Sequence, residues 1–467
     1  MPDKRDFLVL CRLTFNKAET LPFHPPCVCF PSRNSLLSFT GHLTFQYDNI
    51  VHRPDITKLT GHRDVPAPLF QDQHHDVPQN ENPYQEVRYF MQIYVVNPGD
   101  TLETIAADFG IGVETIAYDN QIQPPYRLAV GQALLIQTES EAQEKRTVHV
   151  NGYAYPYIRD WVLTETLPYL TTLSVFSYGF TTSGELVPPA IDDSRMIDQA
   201  WQQGVRPILT LTPLDETGMF NNYLISVLTN DPDIQQNLID QLFLVMEEKG
   251  YDGIDIDFEY ILAKDRIPFA NFVENVRAQA APRGYTVSVA LAPKTSADQP
   301  GLLYAGKDYG LLGAAADSVL LMTYEWGYTY GPPMAVAPIN KVREVVDYAI
   351  TEIPAEKIDL GIPNYGYDWT LPFTQGVSMA RTIGNIEAVD IAIENQAAIL
   401  FDETAKSPYF HYVRDGAEHE VWFEDVRSIR EKFNLIKEYG LRGMGYWQIM
   451  KLFRANWLLL ADTFEIE

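Results

Sequence analysis

The sequence predicts an α/β protein: a (β/α)8 TIM-type barrel with an α+β insertion between strands seven and eight, preceded by a small βααβ domain. Three observations predict it. From Val148 onward, short apolar runs alternate with amphipathic helical stretches, the pattern of βα units around a parallel sheet. Eight such runs fit into residues 148–467, a length suited to a barrel with insertions. The fourth run, Gly250–Tyr260, places Asp255, Asp257 and Glu259 at alternate positions, hence on one face of a strand, with Ile254, Ile256 and Phe258 on the other. A strand in an αβ repeat is covered on both sides, so a purely solvent-facing row of acids does not suit it. The acids are expected to point into a barrel or cleft, where perturbed carboxylates do acid–base chemistry.

The strand candidates are Val148–Tyr155, Leu173–Phe180, Arg206–Pro213, Gly253–Tyr260, Thr286–Pro293, Ser318–Trp326, Lys357–Tyr365 and Gly443–Ile449. One intervening helix is capped by Asp231 with Pro232 at its first position. Ile234, Leu238, Leu242 and Val245 form its inner stripe, and Gly250 ends it. Another, about Pro268 to Gln279, buries Phe269, Phe272, Val273 and Val276. Between strands seven and eight the extra stretch contains a helix near Asn385–Asn395. It also holds a hairpin, Tyr409–Val413 with His419–Phe423, turning at Asp415-Gly416. Near the strand C-termini, such an insertion walls a groove.

Residues 91–137 read as a strand (Gln92–Val96), a turn at Asn97-Pro98-Gly99, two short helices and a closing strand (Ala133–Ile136). Asp100 with Glu103 is read as a capping box. Leu102, Ile105, Ala106 and Phe109 form one helix face, Gly110 stops it, and the second helix runs from about Val113 to Asp119, with Asn120 at its end. The segments Val96-x-Pro98-Gly99-Asp100-Thr101-Leu102, Ile105-Ala106-x-x-Phe109-Gly110, Asn120 and Val130-Gly131-Gln132-x-Leu134 together resemble a LysM module. That resemblance implies binding of β-1,4-linked N-acetylglucosamine polymers such as peptidoglycan and chitin. Residues 138–147 are polar and aperiodic and read as a linker.

Residues 1–90 hold all three cysteines and six of the nine histidines and show no period, so they read as a disordered or non-native extension. Translation starting at Met91 is one expectation that follows. Cys11, Cys27 and Cys29 give no disulfide framework, and Cys27 and Cys29 with His24 match no zinc spacing. Nearly all of the net charge of −27 lies after residue 90, which argues against nucleic acid as a partner. No apolar run approaches the ~20 residues of a membrane span, and no signal peptide is readable. No cofactor and no metal are expected. After residue 90 the only histidines are His149, His411 and His419, none near strand four in sequence, which weighs against a metal-dependent barrel hydrolase.

In (β/α)8 barrels the site lies at the C-terminal ends of the strands, which puts Glu259 nearest the mouth and Asp257 and Asp255 progressively deeper. Neighbours on that face lie ~6.6 Å apart, so the carboxyls share protons and one can stay neutral at pH 7. Asp252-Gly-Ile-Asp-Ile-Asp-Phe-Glu259 matches the signature Asp-Gly-x-Asp-x-Asp-x-Glu, and on these residues the chain resembles glycoside hydrolase family 18. Met322-Thr-Tyr324-Glu325-Trp326 on strand six is similar to the family's Met-x-Tyr-Asp, with Glu in place of Asp. Tyr446-Trp447 ends strand eight, where the family places a subsite Trp, and Asn364-Tyr365 closes strand seven. The family's strand-three Ser-x-Gly-Gly is absent, with Leu209-Thr210-Leu211-Thr212-Pro213 in its place. With the LysM module, the chain most resembles spore cortex-lytic N-acetylglucosaminidases.

The resemblance implies substrate-assisted retaining hydrolysis. Glu259 is then the acid, Asp257 orients the acetamido group, Asp255 holds a proton beneath it and Tyr324 bonds the acetamido oxygen. Trp447, Met322, Asn364, Tyr365 and Trp326 line the sugar site. It also implies a place at the spore coat, cortex or cell wall. Trp447 and Trp326 could instead be simple core, Tyr324 could serve only a buried hydrogen bond, and Asp252 reads as a turn or cap residue. Two other readings stay open: a chitinase, and a catalytically silent glycan-binding protein, the latter disfavoured by the presence of Glu259.

Overall fold

The computed structural model describes residues 88–140 and 144–467. The expectations for Cys11, Cys27, Cys29 and His24, and for residues 1–87 generally, lie outside the described residues.

Eight parallel strands close a barrel: Arg146–Ala154, Thr172–Phe180, Arg206–Leu211, Gly253–Ile256, Thr286–Leu291, Ser318–Leu321, Ile358–Pro363 and Gly443–Trp447. Closure is made by strand one, which pairs with strand two (Asn151↔Thr172) and with strand eight (Gly443↔His149). Their inward and outward residues are almost all buried, as expected where helices cover a parallel sheet. The helix Pro232–Lys249 forms as its sequence dictates. Asp231 accepts from the backbone N–H groups of Asp233 and Ile234, and Gly250 ends the helix at φ 85°, a conformation glycine adopts without cost. The next helix, Arg266–Ala280, buries Phe269, Phe272, Val273 and Val276 against the sheet.

Strand four is shorter than its alternating pattern suggests. Its ladder stops at Ile256, although the Asp257 N–H still bonds the Leu211 carbonyl at 2.9 Å. Both neighbours stop too, strand three at Leu211 and strand five at Leu291, each two residues before a proline (Pro213, Pro293) with no N–H to extend pairing. Asp257–Glu259 therefore leave the ladder at the barrel mouth, and Tyr260 turns the chain at φ 43°.

The insertion is a five-stranded antiparallel sheet with one helix, Asn385–Glu394. Its hairpin, Ser407–Arg414 with Ala417–Trp422, turns at Asp415 (φ 53°) and Gly416 (φ 79°), the left-handed pair of a two-residue hairpin turn.

The N-terminal unit is βααβ: Arg88–Val95, Leu102–Phe109, Val113–Asp119 and Ala133–Ser140, with the outer strands antiparallel. The first helix is capped by Thr101 and Thr104, not by Asp100 and Glu103. The Asp100 carboxylate is already used by the preceding turn, accepting from the Asn97 N–H and the Tyr94 hydroxyl, each at 2.7 Å. Both ends of the segment read as a linker are strand, since one strand runs to Ser140 and barrel strand one begins at Arg146. The module is also packed on the barrel. Arg454 donates to the Tyr118 carbonyl at 2.8 Å, and its own N–H donates to the Gln121 side chain at 2.7 Å. The Ile399 N–H donates to the Val130 carbonyl at 2.8 Å. Gly131 (φ 82°) sits so close that a Cβ would lie 1.9 Å from the Ile399 carbonyl oxygen.

Candidate active site

The acids at the barrel mouth are graded in depth. Asp255 is 1% exposed, while Asp257 and Glu259 are partly open to solvent. Asp255 accepts from the Ser288 hydroxyl at 2.6 Å and the Tyr153 hydroxyl at 2.9 Å. Burial raises its pKa, and those two bonds and the Lys307 charge oppose the rise. Asp257 Oδ1 is buried with no hydrogen-bond partner. Burial, then the charges of Glu259 and Asp255, push the Asp257 carboxyl up to about 8, against the opposing pull of Lys307. Thr210 on strand three lies in register with Asp255, and its hydroxyl is likewise buried without a partner.

Around the acids stand aromatic side chains. Tyr324 is buried, and its phenol is raised by desolvation and then by the charges of Asp257, Glu259, Glu325 and Asp255. Trp447 lies 4.9 Å from Phe176, 5.7 Å from Tyr153 and 6.2 Å from Tyr155, centroid to centroid, with Met322 in the same cluster. Trp447 and Met322 remain partly exposed. Glu325 (φ 66°) accepts from the Tyr365 and Tyr367 hydroxyls, the latter at 2.9 Å. Solvent reaches much of Glu325, yet its carboxyl is capped by these phenols, and desolvation raises its pKa. Tyr365 is thereby tied to Glu325. Asn364 uses its amide on the Gln448 and Lys451 carbonyls at 3.2 and 2.9 Å, which fixes the loop after Trp447. Trp326 packs partly buried against the main core. Asp252 sits at the opposite end of strand four, 3.7 Å from Arg206.

The matches to known proteins agree with one another. Residues 218–451 match the model of glycosyl hydrolases family 18, and residues 94–137 match the LysM domain. The cortical fragment-lytic enzyme of Bacillus subtilis (strain 168) is 41% identical over 430 residues, covering 80% of this chain and 99% of the relative. The protein of the same name from Bacillus anthracis is 38% identical over 80% of this chain and 99% of its own. The crystal structure of the Bacillus cereus spore cortex-lytic enzyme SleL is 34% identical. It superposes with a TM-score of 0.77 over 81% of this chain and 99% of that one.

The chain belongs to glycosyl hydrolase family 18. It is a glycoside hydrolase with a LysM domain, built on a (β/α)8 barrel.

For a family 18 hydrolase, several residues near the acids escape sequence reasoning. Lys307 is the main one. It lies in the segment after strand five, is wholly buried, and donates to the Ala290 carbonyl at 2.5 Å. Burial lowers its pKa to about 8, and the charges of Asp257, Glu259 and Asp255 resist the fall. Its charge acts on three acids, but in sequence it is a lone lysine before a helix cap at Asp308. Ser288, Tyr153, Tyr155 and Phe176 were hidden for another reason: each fits the ordinary alternation of a barrel strand. Together the groups offer a carboxyl at the rim, a second that can gain or lose a proton near neutrality, and an aromatic cluster joined to the deepest acid through Tyr153.

Proposed function

We propose that this protein cleaves β-1,4 glycosidic bonds next to N-acetylglucosamine in spore cortex peptidoglycan, including the cortical fragments for which its relatives are named. The observation that carries the reading is the graded acid column, with Asp255 buried and doubly bonded, Asp257 and Glu259 opening to solvent, and Trp447 packed on Tyr153, the donor to Asp255.

Glu259 gives its proton to the glycosidic oxygen as the bond to C1 breaks. The substrate's own acetamido oxygen closes on C1, forming an oxazolinium ion, the substrate-assisted exception among two-carboxylate glycosidases. Asp257 accepts the acetamido N–H and stabilises the positive charge. With its proton affinity raised, Asp257 must first release a proton, and Asp255, the next acid down the strand, receives it. Lys307 offsets the negative charge that this proton shift leaves on Asp257. Tyr324 bonds the acetamido oxygen and Trp447 stacks on the pyranose, with Met322, Tyr365 and Trp326 completing the wall and Asn364 holding the loop of Trp447. Water deprotonated by Glu259 then attacks C1, reopens the ring with retention and restores the acid. The LysM module holds the polymer, which places the protein at the spore cortex or cell wall. No cofactor takes part. Among the described residues, no helix is long and apolar enough to cross a membrane.

Digestion of purified cortex, with the new reducing ends identified by mass spectrometry, tests this. Reducing-end N-acetylglucosamine from the wild type and none from Glu259→Gln is the expected result. Release from colloidal chitin but not from cortex would reassign the substrate.

A further inference from the structure

Where the LysM module meets the barrel there is a cavity of about 500 Å³. The module contributes Gln121, Gln123 and Arg127, the insertion helix Asp390, and the helix Asp160–Thr166 after barrel strand one Trp161. A second cavity of about 240 Å³ shares Trp161, Asn385, Ile386, Leu452 and Phe453 with the first and ends at Asn364 and Lys451. Asn364 is the residue whose amide fixes the Gln448–Lys451 loop that begins at Trp447. The two cavities thus make one trough from Asn364, whose backbone N–H donates to the Trp447 carbonyl at 3.0 Å, to the LysM module.

The lining has a recognisable chemistry. Trp161 leaves 49% of its surface exposed and is backed by the Arg159 guanidinium, 5.5 Å from its ring centroid. A flat, rigid indole in a polar groove suits the apolar face of a pyranose. Gln123 supplies an exposed amide that can both donate and accept, and Gln121, whose oxygen takes the Arg454 N–H, keeps its NH2 as a donor, as acetamido and hydroxyl groups require. The charges along the wall are largely paired: Lys451 with Glu387 at 2.9 Å, Arg454 with Glu165 at 2.5 Å, Arg427 with Asp425 at 2.6 Å and Lys432 with Glu424 at 2.8 Å. Such a wall favours an uncharged ligand over a polyanion.

We infer that this trough binds the continuing strand of N-acetylated hexosamines, so that the LysM module works as a fixed extension of the catalytic cleft and not as a roaming tether. The inference rests on the function proposed above. Anchoring is set by the contacts of Arg454 and Ile399 with the module and by the close approach at Gly131. A strand long enough to reach past the mouth gains contacts that a short oligomer cannot make.

The test compares N-acetylglucosamine tetramer with long cortex glycan strands, using the full chain as wild type, Trp161→Ala and Trp161→Phe. Trp161→Ala is expected to lower the ratio of kcat/KM on long strands to that on tetramer about tenfold, and Trp161→Phe to restore most of it. Calorimetric binding of long strands to Glu259→Gln, with and without Trp161→Ala, reads the same contact without turnover and should weaken about tenfold. An unchanged ratio and unchanged binding, with the wild type active on both substrates, would overturn the trough and leave the proposed function standing. A wild type inactive on both would overturn the two together.

Discussion

Replacing Asp257 by Asn should stabilise the fold while abolishing turnover. The Asp257 carboxyl is pushed from an ordinary 3.8 up to about 8, and its Oδ1 is buried without a partner. Between these two values the folded protein holds a proton that the unfolded chain has released. Stability therefore falls as pH rises from about 4 to about 8 and levels off above. At pH 7 the strain amounts to about three pKa units, or ~4 kcal/mol at 1.36 kcal/mol per unit. Partial access of solvent to the residue reduces the expected gain to about 2–4 kcal/mol. The amide of Asn carries no charge to desolvate, so Asp257→Asn removes this pH dependence. Urea unfolding at pH 4, 5.5, 7 and 8 measures it. The two proteins should match near pH 4, and the variant should lead increasingly toward pH 8. Parallel stability curves, or an advantage for the variant that shrinks with rising pH, would refute the reasoning.

Three other outcomes follow from the same geometry. Glu259→Gln removes the donor and should lower kcat on cortex fragments by about 10²–10⁴-fold; retained turnover would remove Glu259 from the mechanism. Lys307→Met deletes the buried cation that lowers the pKa of the acids, so the alkaline limb of kcat/KM should move up by about one pH unit; a downward shift in the pH–rate profile would contradict this. Lys432→Met strands the buried Glu424 carboxylate, 2.8 Å away, and should cost about 3–5 kcal/mol in urea unfolding, whereas Glu424→Leu with Lys432→Met together should recover most of it.

The barrel and its site were legible in the sequence to different depths. The eight strands were visible because each is an apolar run between a helix stop and a helix start. The acid column was visible because Asp255, Asp257 and Glu259 keep strand parity within one run. Strand ends were overestimated because parity continues past Ile256 while pairing stops with the neighbours at Leu211 and Leu291. The cap moved from Asp100 to Thr101 because the turn before it takes up the Asp100 carboxylate. Lys307, Ser288 and Tyr153 reach the acids from other strands and loops, and only closure of the barrel brings them there. The docking of the LysM module was invisible for the same reason: polar residues at 138–147 report composition, whereas the contacts come from Ile399 and Arg454, far along the chain.

The central claim is that Glu259 supplies the proton while the substrate's acetamido oxygen, steadied by Asp257, attacks C1. Proton NMR of the anomer released from an N-acetylglucosamine oligomer in the first minutes of hydrolysis tests it most directly. The account predicts that the β-anomer appears first and then mutarotates; initial release of the α-anomer would contradict it.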